Sequence, residues 1–110
     1  MNRILLYFRD IWRGGSLLGG LRSSRWASVR AEHLRKFPVC AVCRTRKNLE
    51  AHHLVAFHTN PELELEPQNI ISLCTPHHLT FGHLQNYQSI NPDCKEDARI
   101  WNKKILQRLR

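Results

Sequence analysis

The sequence predicts a small α+β domain fastened by a structural metal, and three observations predict it. The first is length: 110 residues suit one compact domain and are too few for two ordinary ones. The second is order: two short apolar strand-like runs, 49–57 and 69–74, are followed by Thr75-Pro76, a helix-start signal. The third is a frame of paired cysteine and histidine donors around that region. A domain this small buries a modest fraction of its surface, so an internal metal would supplement its core.

Composition narrows the classes. With 42% hydrophobic and 24% charged residues the chain reads as soluble and globular rather than disordered. Seventeen Lys and Arg against nine Asp and Glu leave a formal net charge of +8, which favours polyanionic partners through counterion release. No apolar run approaches bilayer length. The opening MNRILLYFRDIW has a positive start and a short apolar stretch. Arg9 and Asp10 interrupt it, and no small-residue cleavage site follows at once, so a secretory signal is not expected. The expectation is a cytoplasmic protein without membrane or small-molecule partners. In a reducing compartment its four cysteines are metal ligands or spare thiols rather than disulfides.

Residues 1–22 are read as an N-terminal amphipathic helix and a connection. Ile4, Leu5, Phe8, Ile11 and Trp12 fall at helical spacing, and Gly14, Gly15, Gly19 and Gly20 follow. Residues 23–110 form the domain. Ser23 or Ser24 can cap a helix running to about Phe37, stopped by Pro38. Trp26, Val29, Leu34 and Phe37 line its apolar side, with Arg22, Arg25, Arg30, Arg35 and Lys36 on the rest. Residues 40–85 hold the unusual chemistry. A closing helix over 92–109 starts at Asn91-Pro92. Its acidic residues lie early and its basic residues late, matching the helix dipole, and Ala98, Trp101, Ile105 and Leu109 share one side. Its basic end is expected to meet nucleic-acid backbone.

Cys40-Ala-Val-Cys43 is a CxxC pair, and Cys74-Thr-Pro-His77 repeats the two-residue gap with histidine as second donor. Two such pairs can wrap one tetrahedral zinc, because each short turn points both side chains at one centre. Cys94 is the odd cysteine, an ordinary thiol or a replacement for His77 as fourth ligand. Between the pairs lies LEAHHLVAF, a strand carrying His52 and His53, whose side chains must face opposite ways. An acidic, proline-bounded loop leads to Asn69 and the second strand, after which His77 and His78 fall in the opening helical turn.

The run from Cys40 to His83, about two-fifths of the chain, resembles the HNH endonucleases, whose shared unit is the ββα-metal (His-Me) finger. The resemblance rests on Cys40, Cys43, His52, His53, Asn69, Cys74 and His78 in order, with the phrases LEAHH and NIISLC. One departure is that His77 stands where the family usually has the second cysteine of its second pair. The resemblance implies a metal-dependent endonuclease acting on double-stranded DNA. His53 would be the general base and Asn69 would hold it. His52 and His78 would ligate one divalent cation such as Mg2+, Mn2+ or Ni2+. His83 is a candidate further ligand or phosphate contact, although five residues after His78 it does not share a regular helix face with it. The competing readings are a zinc-stabilised, non-catalytic nucleic-acid-binding module and a CxxC redox protein. No βαβ pattern of the redox kind surrounds the pair.

Overall fold

Helix α1 spans Trp26–Lys36, inside the range the sequence predicts. The structure, a computed structural model, describes residues 23–109, so the predicted N-terminal helix and glycine-rich connection lie outside the described residues. Ser23 starts α1 by a route other than capping. Its Oγ accepts from the Arg25 N–H at 3.1 Å and its carbonyl from the Trp26 N–H at 3.0 Å, a serine turn one step ahead of the helix. Arg25 then takes the N-cap position with no side-chain bond. The expected apolar side is shifted. Trp26, Val29 and Leu34 are half-buried, Phe37 is exposed, and the residue α1 buries is His33.

The two strands, β1 (Leu49–His53) and β2 (Ile70–Cys74), pair antiparallel, with His53 opposite Ile70 and Leu49 opposite Cys74. The first is shorter than the apolar run that predicted it. Leu54 still donates to the Asn69 carbonyl at 2.8 Å. Beyond that, the carboxamide of Asn69 takes over the strand's hydrogen bonds, accepting from the Val55 N–H at 2.8 Å and donating to the Val55 carbonyl at 3.1 Å. The acidic loop between the strands folds as two short 3-10 turns, Pro61–Leu63 and Pro67–Asn69, each opened by its proline.

Helix α2 begins at Thr75–His77 and continues directly as a π-helical turn, His78–Gly82. Thr75 is its first residue rather than its cap, and the threonine hydroxyl donates to the Asn48 carbonyl at 3.3 Å. Leu84 and Gln85, at φ 54° and 69°, end it in left-handed backbone. Helix α3 spans Cys94–Arg108, starting later than Asn91-Pro92 suggested. Asn91 is used elsewhere: its Oδ1 accepts from the Asp93 N–H at 3.0 Å, while its amide donates to the Phe81 carbonyl and to Asp97, both at 2.9 Å. It thus ties the end of α2 to the first turn of α3.

The core is a small cluster of Cys40, Val42, Leu73, Cys74, Cys94 and Ala98, with Leu49, Leu54, Ile71, Phe81 and Ile105 packed around it. Helix α3 reaches it through Cys94, Ala98 and Ile105; Trp101 and Leu109, expected on the packed side, are 49% and 78% exposed. Among the described residues no helix is long and apolar enough to cross a membrane.

Candidate functional site

Cys40 and Cys43 sit on a tight turn after α1, Cys74 ends β2 and His77 ends the α-helical part of α2. The turn is closed by Cys40 N–H donating to the Thr45 carbonyl and Arg44 N–H to the Cys40 carbonyl, with Arg44 at φ 68°. The four side chains converge. His77 Nδ1 lies 3.3 Å from Cys74 Sγ and 3.7 Å from Cys40 Sγ, and Cys43 Sγ lies 3.9 Å from Cys74 Sγ. A zinc about 2.3 Å from each sulfur would hold tetrahedral sulfurs about 3.8 Å apart, so the spacing fits. The sulfurs also crowd one another electrostatically. Burial pushes the Cys40 thiol up, but backbone hydrogen bonds from Cys43, Cys74 and Val42 and a bond from His77 outweigh it and bring it down to about 7. Cys74 is pushed up to about 12, first by burial and then by the neighbouring Cys40 and Cys43. A cation among them would let several ionise together.

Cys94 is not part of this group. It lies in the hydrophobic core, where burial, with Asp97 nearby, pushes its thiol up to about 11, the state of an inert packing residue. Of the two candidates for fourth donor, His77 is the one that converges.

A second group forms on the opposite end of the hairpin. His52 projects from β1 toward α2 and meets His78 and His83 there. Its Nδ1 lies 3.1 Å from His78 Nε2, which in turn lies 3.1 Å from His83 Nε2. The three rings are 1%, 2% and 5% exposed. Their outer nitrogens decide what the inner ones are. His78 Nδ1 is 2.6 Å from Glu50 Oε1 and His83 Nδ1 is 2.7 Å from the Ser89 carbonyl, so both Nδ1 atoms donate. Neutral rings so held turn the two Nε2 lone pairs toward each other. A cation could be held between them, and an ion about 2.1 Å from each nitrogen would set them about 3.0–3.4 Å apart.

His83 joins this group because α2 is π-helical where it matters. In an α-helix residues five apart diverge by more than a third of a turn, but the wider π-turn His78–Gly82 brings them to one face. The regular-helix argument against His83 is therefore corrected. Gly82 makes the fit possible: a Cβ there would lie 3.0 Å from Cε1 of His52 and 3.1 Å from both its ring nitrogens.

His53 looks the other way, as strand alternation requires. Its ring lies 4.3 Å from that of Trp26 in α1, and its Nε2 donates to the Glu64 carbonyl at 2.8 Å. That bond places the ring proton on Nε2 and the lone pair on Nδ1. Asn69 reaches His53 only through the loop. Its amide donates to the Leu63 carbonyl at 3.1 Å, one residue before the carbonyl that holds the ring. Glu64 itself is buried, and its carboxylate accepts from the Ser23 N–H at 3.0 Å, joining the loop to the start of α1. Glu50, Glu64 and Gly82 were not singled out from sequence. Glu50 had a legible signal, lying two residues before His52 and hence on its face of the strand.

In comparisons with protein-family models, curated proteins and solved structures, nothing matches the chain. The fold and its donors define a small α+β protein with a two-strand antiparallel sheet and helices. It carries a Cys40, Cys43, Cys74, His77 group that could hold a metal ion such as zinc, and a His52, His78, His83 group that could hold another ion.

Proposed function

We propose that the chain is a metal-dependent endonuclease of the HNH, ββα-metal type that hydrolyses DNA phosphodiester bonds. The observation that carries the reading is a buried histidine trio next to a strand histidine whose ring proton is fixed on the far nitrogen. In this reading Cys40, Cys43, Cys74 and His77 hold a structural zinc that joins the turn after α1 to the end of the hairpin. His52, His78 and His83 hold a second divalent ion. Three imidazoles suit nickel, cobalt or zinc better than magnesium, which prefers oxygen. When bound, that ion would offset charge on the scissile phosphate and on the departing oxygen.

The protein's own groups do the rest. His53, with its lone pair on Nδ1, takes a proton from the attacking water, and the Glu64 carbonyl keeps its ring from turning. Water oxygen bonds to phosphorus as the bond to the 3′ oxygen breaks; the departing 3′ oxygen takes a proton from solvent water, leaving a 5′ phosphate and a 3′ hydroxyl. Asn69 is a positioning residue that pins the loop carrying Glu64. Exposed Arg44, Arg46 and Lys47 near the sulfur-rich turn and Lys103 and Lys104 on α3 supply sites for backbone phosphates.

The burial of all three histidines favours a second reading, a zinc-stabilised nucleic-acid-binding module in which both ions are structural. A plasmid-nicking assay across a panel of divalent ions separates the two. The nuclease reading expects EDTA to stop cutting and added ion to restore it. It also expects His53→Ala to cut about 100-fold slower or worse, the usual weight of a general base, with the fold and DNA affinity retained. Cutting by His53→Ala at the wild-type rate would remove the assignment, and binding without cutting under every ion would favour the module.

A further inference from the structure

We propose that Glu50 is the positioning residue of the histidine centre, fixing the tautomer and aim of His78 so that its Nε2 faces the ion. The inference rests on the two-ion reading above and adds a group to it. Strand alternation puts Glu50 on the same face of β1 as His52, and α2 crosses that face. The carboxylate therefore reaches the one histidine that α2 presents between His52 and His83, with Oε1 2.6 Å from His78 Nδ1. The His78 ring is 2% exposed and the Glu50 side chain 43%, so the bond runs from a buried ring to the edge of the protein.

The physical consequence follows from which atom donates. A carboxylate accepts only from Nδ1–H, which excludes the tautomer with its proton on Nε2 and commits that atom to the cluster interior. A charged acceptor also draws the Nδ1 proton and leaves more electron density on Nε2, strengthening it as a donor to a cation. His83 has the same arrangement with the Ser89 carbonyl in the acceptor role. Glu50 is the counterpart that side-chain substitution can remove. Glu50 acts through its bond to His78.

The test uses the full chain carrying one equivalent of zinc and titrates nickel by calorimetry. Glu50→Ala is expected to weaken nickel binding about 10- to 100-fold, the usual effect of losing such a partner. Glu50→Gln, whose amide oxygen still accepts from Nδ1–H, should recover much of that loss. Before nickel is added, two-bond proton–nitrogen spectra should show His78 protonated on Nδ1 in the wild type and a mixture of tautomers in Glu50→Ala. A purely structural role would leave that signature unmoved. Nickel affinity within twofold of wild type in Glu50→Ala, while His78→Ala loses binding, overturns the role of Glu50 and spares the second ion. Failure of the wild type to take up nickel, or unchanged uptake by His78→Ala, overturns the two-ion reading and this inference with it.

Discussion

A methyl group added at Gly82 would sit 3.0 Å from the His52 ring, and two opposing effects decide what that substitution does. Alanine is favoured over glycine inside a helix by about 1 kcal/mol. Against this, overpacking a tight site costs about 1–3 kcal/mol when the neighbour cannot move. His52 is such a neighbour: it is 1% exposed, with the rings of His78 and His83 at 4.9 and 4.8 Å between centroids. Steric crowding therefore wins. Gly82→Ala is expected to lower unfolding free energy in urea by up to about 2 kcal/mol and to weaken ion uptake by the trio, because relief comes only from moving His52 or the turn. A variant more stable than wild type would show that the ring has room the packing does not suggest.

The elements divide by how local their causes are. The hairpin and the start of α2 were legible because their signals are local: an apolar run bearing His52 and His53, a proline-bounded loop, then Thr75-Pro76 before a histidine pair. The π-turn was not, since nothing between His78 and His83 announces a widened helix; the turn is understood only once His52 and Gly82 are seen against each other. The late start of α3 has the same character, because Asn91 is occupied with Phe81 and Asp97 across space. On α1 the apolar stripe misled. Phe37 lies beyond the last turn and is exposed, while His33 turns inward, its Nε2 buried and without a hydrogen-bond partner among the described residues. Burial holds the His33 imidazole below its ordinary value of 6.5. The unfolded chain thus takes up this proton first. Stability contributed here is complete above pH 6.5 and falls as pH drops from there through the lower folded value. Replacing it, as in His33→Leu, should flatten that part of the curve of unfolding free energy against pH. A curve of wild-type slope below pH 6.5 would mean that His33 is not the group being charged.

For the whole molecule the balance turns on how little apolar material the core contains. Two of the six residues in its buried cluster, Cys40 and Cys74, are also donors of the sulfur-rich group, so the same atoms that pack the centre crowd it with ionisable thiols. Without a cation they cannot ionise together, the Cys74 thiol being pushed up to about 12 beside Cys40, and the turn after α1, the end of β2 and α2 are joined by weak sulfur contacts of 3.3 to 3.9 Å. With zinc those contacts become bonds, and apparent binding free energies in zinc-finger peptides of about 10–16 kcal/mol rival a whole domain's stability. Zinc binding and folding should therefore be one event. Cys40→Ser, or chelation of the wild type, is expected to abolish the cooperative thermal transition seen by circular dichroism. Cys94→Ser is the informative control, because Cys94 is as buried as Cys40 and yet belongs to no donor group. It should cost only about 1–3 kcal/mol for the imperfectly satisfied hydroxyl and keep one zinc per chain. Equal damage from the two serine variants, or a chelated protein that still melts cooperatively near the wild-type temperature, would show that packing alone holds the domain together.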